Sequence, residues 1–155
     1  MKRRTRLRRV AIIQAGPACL KQVTPLFDAY RRFYKQRSDV AGARKFLRKR
    51  LAQGESVAFL AMDGEEAVGF VQLYPLFDSV TMRRVWILYD LFVAPVARKR
   101  GVAKSLMEHA RRFAVKTKAK GLILETAVDN RPAQKLYEQL GWNRDTAFHR
   151  YFLNL

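Results

Sequence analysis

The sequence predicts an α+β fold, because two different apolar periodicities are interleaved along one chain. Residues 57–62 and 67–74 are strongly apolar and flank the string Asp-Gly-Glu-Glu at 63–66, which is typical of a β-hairpin. Residues 20–34 instead place apolar side chains at steps of three and four, which is typical of a helix with one buried face. Both patterns recur along the rest of the chain.

The same criteria assign the other elements in order. A short strand over residues 10–15 precedes the first helix, and a second helix over residues 41–52 follows it. The later elements are a loop at 75–81, a long strand at 84–93, a helix after Gly101, a strand at 121–128, a short helix after Asn130, and two last strands at 142–143 and 147–153. The predicted order is β-α-α-β-β-β-α-β-α-β-β.

The length and composition are those of one globular domain. A chain of 155 residues, 49% of them hydrophobic, can bury a substantial core. We expect residues 10–155 to form that domain, and residues 1–9, which carry six basic side chains, to be a disordered basic tail. The longest apolar stretch is too short to span a membrane, and no signal-peptide pattern follows the basic start.

The charge and the cysteine content indicate which classes of binding partner and which cellular compartment the composition favours. The 31 basic and 13 acidic residues give a net charge of +18, which attracts phosphates, nucleic acids or acidic proteins. The sequence contains no nucleic-acid-binding motif, so that partner is a secondary alternative. The single Cys19 permits no internal disulfide and fits a reducing cytoplasm. His109 and His149 are too few and too separate for a metal site, and none is predicted.

The most informative segment is the basic loop between the strand at 84–93 and the following helix. The amides at a helix N-terminus carry roughly half a positive charge and bind anions, and neighbouring basic side chains add full charges. Small residues at Gly101 and Ala103 let a pyrophosphate approach the backbone. A solvated charged turn is the alternative. The candidate anion-binding residues are Arg98, Lys99, Arg100, Gly101, Val102 and Ala103.

A second informative segment spans residues 130–142. Asn130 suits a helix N-cap, a proline lies in the first turn, and Gly141 comes just after the last helical residue. Ala133 lies on the apolar stripe of this helix, whereas Asn130 and Tyr137, seven residues apart, share a neighbouring face. The alternative for Tyr137 is an ordinary core aromatic residue.

Together the two segments resemble the signatures of the GNAT superfamily of N-acetyltransferases. The loop fits the pattern Arg/Gln-x-x-Gly-x-Gly/Ala, and residues 130–142 fit Asn-x-x-Ala-x-x-Leu/Phe-Tyr-x-x-x-Gly-Phe/Trp at every position. The predicted element order matches that fold over nearly the whole chain. The resemblance implies α/β/α layers around a mixed, mostly antiparallel sheet with a splay between the fourth and fifth strands. It also implies acetyl-CoA as the cosubstrate.

The resemblance further implies roles for individual residues. The loop from Arg98 to Ala103 would hold the pyrophosphate, and Asn130 and Ala133 would contact the cofactor. Tyr137 would act as the general acid that protonates the departing thiolate. A backbone amide at Phe92 or Val93 would stabilise the oxyanion.

The general base has two candidates. A primary amine titrates near pH ~10, so acetyl transfer to it requires removal of a proton. Asp90 interrupts an apolar strand, where a carboxylate is costly unless it is paired or used. That strand resembles one in polyamine acetyltransferases that carries a Glu before the Asp; Tyr89 replaces this Glu, which leaves Asp90 as the matching acid. Glu125 is the second candidate, and either carboxylate could instead pair with an arginine.

The acceptor is the least determined feature. Tyr30, Tyr74 and Tyr89 could line its pocket, although core packing is the alternative for aromatic residues at such spacings. The leading interpretation is direct ternary-complex acetylation of a primary amine on a small molecule, amino acid, polyamine or protein lysine. The alternative is a non-catalytic acetyl-CoA sensor, or a module that docks on nucleic acid. Local strings resemble the branch of yeast histone and polyamine acetyltransferases and their bacterial relatives, which implies a homodimer.

Overall fold

The computed structural model of the protein describes residues 10–155, and the predicted basic tail at residues 1–9 lies outside this range. The described chain consists of two compact units, of which the first ends at Leu124 and the second is Glu125–Leu155. The single domain expected for residues 10–155 stays a prediction, and each unit is described by itself.

The first unit contains five strands and three helices. The strands are β1 (Ala11–Ala15), β2 (Val57–Asp63), β3 (Glu66–Asp78), β4 (Arg83–Val93) and β5 (Gly121–Ile123). The helices are α1 (Leu20–Phe33), α2 (Val40–Ala52) and α3 (Val102–Lys116). Short 3-10 turns at Pro17–Cys19 and Pro95–Ala97 precede α1 and the basic loop that leads from Arg98 into α3, which we call the phosphate-type loop. The element order up to α3 and the hairpin of β2 and β3 are confirmed.

The strands form one sheet in the order β1-β2-β3-β4-β5. The first three pairings are antiparallel and the last, between β4 and β5, is parallel, which confirms the mixed, mostly antiparallel sheet. The parallel pairing runs from Val85 opposite Gly121 to Ile87 opposite Ile123 and stops there. Because β4 continues to Val93, its second half extends beyond the pairing with β5, which is compatible with the predicted splay.

The sheet is covered on both faces, as its alternating side chains require. On β2, Leu60 belongs to the buried cluster formed with α1 and α2, whereas the ring of its neighbour Phe59 lies 5.3 Å from that of Phe113 on α3. One cluster of buried apolar residues lies on the α1 side. Its fully or nearly buried members are Ala15, Leu20, Val23, Leu26, Phe27, Ala43, Leu47, Ala58, Leu60, Met62, Phe70 and Phe92.

A buried carboxylate fixes the corner between α1 and α2. Asp28 accepts hydrogen bonds from the Ser38 hydroxyl at 2.7 Å and the Asp39 amide at 2.8 Å, and these bonds, the backbone one first, lower its pKa. Asp39 in turn caps α2 by accepting from the Gly42 amide at 2.8 Å. A Cβ on Gly42 would lie 2.2 Å from the Asp39 carboxylate, so a larger residue at position 42 would require the Asp39 side chain to shift.

One boundary in the first unit differs from the prediction. Residues 75–81 were expected to form a loop, yet β3 continues through Pro75 to Asp78. The proline is tolerated because β2 begins at Val57, which pairs with Leu73, so β2 does not reach Pro75 and this part of β3 is an edge on that side. A proline in a strand pattern is therefore not always the end of the strand.

The second unit contains one helix, α4 (Arg131–Gln139), as predicted after Asn130. The strand expected at residues 121–128 ends at Ile123 because the next residues turn toward α4: the Asn130 amide donates to the Ala127 carbonyl at 3.0 Å, and the Gln134 side chain donates to the carbonyl of Ala127 at 3.1 Å. The expectation of strands at 142–143 and 147–153 is wrong for the described chain. An apolar pattern forms a strand only where a partner strand and a packing surface are present, and Tyr151 is 89% exposed.

No helix within residues 10–155 combines the length and the apolar character that crossing a bilayer would require.

Candidate active site

A β-bulge in β4 shapes the site. Asp90 pairs with Gln72 of β3 and Leu88 pairs with Leu73, so Tyr89 is an extra residue on the β4 side. Bulges redirect side chains and are common beside active sites. Here the insertion shifts the alternation of β4 by one residue.

The ring contacts show this change of face. Before the bulge, the Trp86 ring lies 5.2 Å from that of Phe113 on α3. After it, the Phe92 ring lies 6.5 Å from that of Tyr30 on α1, on the opposite face, although positions 86 and 92 would share a face in a regular strand. Asp90, in register with Phe92, therefore points to the α1 side.

Asp90 is buried, with 4% of its surface exposed, and side-chain donors surround it. The Gln72 amide donates to its Oδ2 at 2.6 Å. The Tyr30 hydroxyl donates to the Tyr89 carbonyl at 3.3 Å, and it is close enough to the Asp90 carboxyl to lower the pKa of that group. Burial raises the pKa of Asp90, and Gln72 and Tyr30 oppose this rise without cancelling it. A raised pKa makes the carboxylate a stronger base.

The three tyrosines named from the sequence meet around this carboxylate. The Tyr74 and Tyr89 rings pack edge to face with centroids 5.5 Å apart. Burial, and next the nearby Asp90 charge, raise the pKa of both Tyr30 and Tyr74 well above the usual range, so both keep their hydroxyl protons at neutral pH. Tyr89 is 60% exposed and so lies where this group reaches solvent.

Two further members of this group were not identified from the sequence. The Ser56 hydroxyl donates to Gln72 Oε1 at 2.8 Å, and the Gln72 side chain opposes the rise in the pKa of Tyr74 that burial causes. A signal for Gln72 existed, since it is the only amide in the apolar run 67–74. We call Tyr30, Ser56, Gln72, Tyr74 and Asp90 the Asp90 cluster.

The backbone of β4 presents amides to its splayed edge. The Ala94 amide donates to the Val68 carbonyl of β3 at 2.9 Å. Because successive amides of an extended strand point to opposite edges, the Val93 amide points away from β3, and that of Phe92 points toward it. Of the two residues expected to supply an oxyanion donor, Val93 has the suitable direction.

The loop after β4 enters α3 through two residues in the left-handed region. Lys99 has φ 59° and Gly101 has φ 75°, a conformation that is strained for lysine and easy for glycine. The first helical hydrogen bond of α3 runs from the Ser105 amide to the Gly101 carbonyl, so the amides of the preceding turn remain available to an anion. No side chain within residues 10–155 caps this end of α3.

Basic side chains of the loop are held in place. Arg98 Nε donates to the Val93 carbonyl at 3.0 Å, and its guanidinium carbon lies 5.8 Å from the centre of the Phe92 ring. Arg100 forms an ion pair with Asp63, at the end of β2, with a nitrogen–oxygen distance of 2.8 Å. The sequence did not identify Asp63 as part of this arrangement.

The loop fits a pyrophosphate. A Cβ on Gly101 would meet no atom of the described chain within 4 Å, so this surface is open to a ligand. Val102 is buried at the start of α3, whereas Ala103 is partly exposed beside it. Gly69 allows α3 to lie close to the sheet, because a Cβ there would be 3.0 Å from the Phe92 carbonyl and 3.3 Å from Val102.

The candidate residues of the second unit have their own contacts. Asn130 Oδ1 accepts from the Ala133 amide at 3.4 Å and so caps α4, while its Nδ2 donates to Thr126 at 3.2 Å. The partly buried Tyr137 ring lies 6.3 Å from that of Trp142. Glu125 is exposed and forms an ion pair with Arg150, which is the contact expected if its role is structural.

No cluster of three or more metal-ligating side chains occurs in the part of the chain that the structure describes.

Comparison with known proteins gives a consistent family. The model of the acetyltransferase (GNAT) family matches residues 23–142. The chain is 46% identical over 144 residues to the uncharacterized N-acetyltransferase YhfO of Bacillus subtilis (strain 168), covering 93% of this chain and 97% of the relative. A crystal structure of a probable acetyltransferase superposes with a TM-score of 0.89 at 45% identity, covering 94% of this chain and 97% of that one. The aminoglycoside N-acetyltransferase AAC(6')-Iy in complex with CoA shares the fold, with a TM-score of 0.80 at 22% identity over 94% of this chain and 95% of that one.

Proposed function

Because this chain belongs to the GNAT family of acetyltransferases, we propose that it transfers an acetyl group from acetyl-CoA directly to a primary amine, with Asp90 as the base. The observation that carries the proposal is the position of Asp90, a buried carboxylate on the splayed half of β4, a few residues before an anion-binding loop. The CoA complex of a protein with the same fold supports the choice of donor.

The loop residues bind the cosubstrate. Acetyl-CoA supplies the acetyl thioester and a pyrophosphate group. The open amides at the start of α3 and the charges of Arg98, Lys99 and Arg100 bind the pyrophosphate, and Gly101 lets it approach the backbone. Asn130 and Ala133, from the second family signature, are assigned to cofactor contact by the resemblance alone.

The chain's own groups then handle the protons. Asp90 accepts a proton from the acceptor ammonium, directly or through a water molecule, so that the neutral amine nitrogen can bond to the thioester carbonyl carbon. The Val93 amide donates a hydrogen bond to the carbonyl oxygen as it gains negative charge. The carbon–sulfur bond breaks, and the family signature assigns Tyr137 as the donor of a proton to the sulfur. The nitrogen then loses its second proton to solvent, and solvent reprotonates Tyr137. Glu125 remains the second candidate base.

The acceptor class follows from the chemistry of the cluster. A carboxylate beside tyrosine rings suits an ammonium, which is attracted both to the charge and to aromatic faces. The net charge of +18 slows the approach of a polycation, so a small amine, an amino acid or a protein lysine fits at least as well as a polyamine. A cytoplasmic location and a homodimer belong to this proposal and rest on the single Cys19 and on the family resemblance.

An amine panel tests the proposal. The protein is incubated with acetyl-CoA and an alkylamine, an amino acid, a polyamine or a lysine peptide, and free thiol is measured. Tyr137→Phe should lower turnover at unchanged acetyl-CoA affinity, and Tyr151→Phe, an exposed tyrosine of the same unit, serves as the matched control. Binding of acetyl-CoA without thiol release on any amine would favour a non-catalytic sensor. Salt-sensitive DNA binding lost on deletion of residues 1–9 would favour a docking module.

A further inference from the structure

We propose that Ser56 and Gln72 are positioning residues that fix the orientation of the Asp90 carboxylate: Ser56 orients the Gln72 amide, and that amide holds Asp90. This inference rests on the proposed role of Asp90 as the base. Neither residue needs to touch the acceptor amine or the thioester for this role.

The geometry is a linear chain of buried hydrogen bonds. Ser56 Oγ donates to Gln72 Oε1 at 2.8 Å, and Gln72 Nε2 donates to Asp90 Oδ2 at 2.6 Å. The exposed fractions of the three residues are 4%, 0% and 4%. The chain crosses from the residue before β2 through β3 to β4, so it connects three consecutive segments of the sheet.

The direction of these bonds fixes how the amide is turned. A hydroxyl can donate to the amide oxygen, and only the amide nitrogen can donate to a carboxylate. Ser56 therefore favours the rotamer in which the Gln72 nitrogen faces Asp90. Without this hydroxyl, a rotation of the amide would place its oxygen against the carboxylate, where two acceptors repel each other.

Packing alone does not explain a glutamine at position 72. Both its neighbours on β3, Val71 and Leu73, are completely buried, and an amide at such a position costs free energy unless its polar atoms are satisfied. A methionine of similar length would fill the same space without that requirement. The polar atoms are therefore better explained by the carboxylate that they hold.

Other titratable and charged groups also face Asp90, so their effect must be separated from that of Gln72. They are Tyr30 from α1, Tyr74 from β3 and Tyr89 from β4, with the charge of Arg50 from α2 acting on Tyr74. Both phenols of Tyr30 and Tyr74 stay neutral at neutral pH. A hydrogen bond from Gln72 is thus the main interaction in the cluster that lowers the pKa of Asp90 against its burial.

The test combines Gln72→Met and Ser56→Ala with the pH dependence of kcat/KM on the best amine of the panel. Gln72→Met should lower kcat/KM by about tenfold or more, because the Asp90 carboxylate is no longer held in one orientation. It should also move the acid limb, the rise of kcat/KM at low pH, to higher pH, because a donor that lowers the pKa of Asp90 is lost. Ser56→Ala should shift the limb in the same direction by less. In the double variant Ser56→Ala should have no further effect, because Ser56 acts through Gln72.

A matched control and a second readout test whether the effects come from the loss of any buried polar side chain rather than from the positioning of Asp90. Thr24 is also a buried hydroxyl residue, and its Oγ1 has no hydrogen-bond partner within the described chain. Thr24→Val should therefore change neither kcat/KM nor the position of the acid limb in its pH profile. The carboxyl resonance of Asp90, in protein labelled with ¹³C-aspartate and assigned with Asp90→Asn, should titrate at higher pH in Gln72→Met. Acetyl-CoA affinity should stay unchanged in all these variants.

The outcomes distinguish this inference from the proposed function. If Asp90→Asn abolishes activity but Gln72→Met and Ser56→Ala leave both the limb and the Asp90 resonance in place, the positioning chain is wrong and the base assignment stands. If Asp90→Asn itself keeps wild-type turnover, the base assignment is wrong. If Gln72→Met does not fold, Ser56→Ala with the Asp90 resonance decides the question alone.

Discussion

The phosphate-type loop and the Asp90 cluster lie at and just after the same end of β4, yet they are built in opposite ways. The loop offers mainly backbone groups: Lys99 and Gly101 are left-handed, and the first amides of α3 have no side-chain cap in the described chain. The Asp90 cluster consists of side chains: Ser56, Gln72 and Asp90 are buried and joined by hydrogen bonds, and the partly buried Tyr30 and Tyr74 lie close to Asp90.

This difference separates two tasks. A loop of exposed amides and cations can recognise a feature common to every reaction cycle, the pyrophosphate, with little dependence on any one side chain. A buried carboxylate depends on each of its neighbours, because its pKa responds to burial and to every donor around it. Variants in the loop should therefore change cosubstrate affinity, and variants in the cluster should change turnover.

The largest expected effect is that of Asp90→Asn. Removing the base should lower kcat by about 10²–10⁴-fold while the acetyl-CoA dissociation constant stays within twofold, since the substitution is isosteric and lies outside the loop. Glu125→Gln is the matched control, because Glu125 is exposed and paired with Arg150. A large loss in Glu125→Gln with little in Asp90→Asn would reverse the assignment of the base.

A glycine pair tests the loop. Gly101→Ala should raise the acetyl-CoA dissociation constant by about tenfold, because a methyl group would hold the pyrophosphate away from the amides and lose on the order of one hydrogen bond to a charged group. Gly64→Ala in the β2–β3 turn has a similar φ of 66° and the same open surroundings, so it should cost similar stability but no affinity. Equal binding by the two variants, measured calorimetrically, would show that Gly101 has no role in the cosubstrate site.

The ion pair at the loop should contribute less. Arg100→Ala should raise KM for acetyl-CoA several-fold, and Asp63→Asn about twofold to threefold, since a partly exposed pair contributes about 0.2–1 kcal/mol. Both effects should diminish as salt concentration rises. If Asp63→Asn lowered kcat instead, Asp63 would have a function other than holding Arg100.

The smallest expected effect on turnover comes from Asp28→Asn, which should change stability instead. Because the pKa of Asp28 is lowered in the folded protein, its stabilisation is complete above the unfolded pKa and is lost as pH falls through the folded pKa. We expect Asp28→Asn to lose about 1–3 kcal/mol of unfolding free energy at pH 7 and to approach wild type under acid, as measured by denaturant titration across pH. A difference that does not change with pH would mean that the ionised carboxylate is not what stabilises the α1–α2 corner.

The same contrast explains what could be predicted from the sequence. The loop is a local feature, so the short string from Arg98 to Ala103 was enough to place it, and the hairpin and helices followed from local periodicity in the same way. The Asp90 cluster depends on strand register and on the bulge at Tyr89, neither of which a single sequence shows. Ser56 was therefore missed, although Asp90 was identified as a polar residue in an apolar strand.

The strands expected after Trp142 failed for a related reason. Alternating apolar residues indicate that a segment can form a strand, but not that a partner strand lies beside it. In the described chain those residues have no regular pairing, and the strand β5 ends early because Ala127 is engaged in the turn before α4.

The pH dependence of kcat/KM for the wild type and for Asp90→Asn tests the central claim most directly. If Asp90 removes the proton, the wild type shows an acid limb with an apparent pKa above that of an ordinary aspartate, because burial raises it. Asp90→Asn should lose this limb and retain only the slower rise due to deprotonation of the amine itself. An identical acid limb in both proteins, with rates that differ by less than about threefold, would contradict the account.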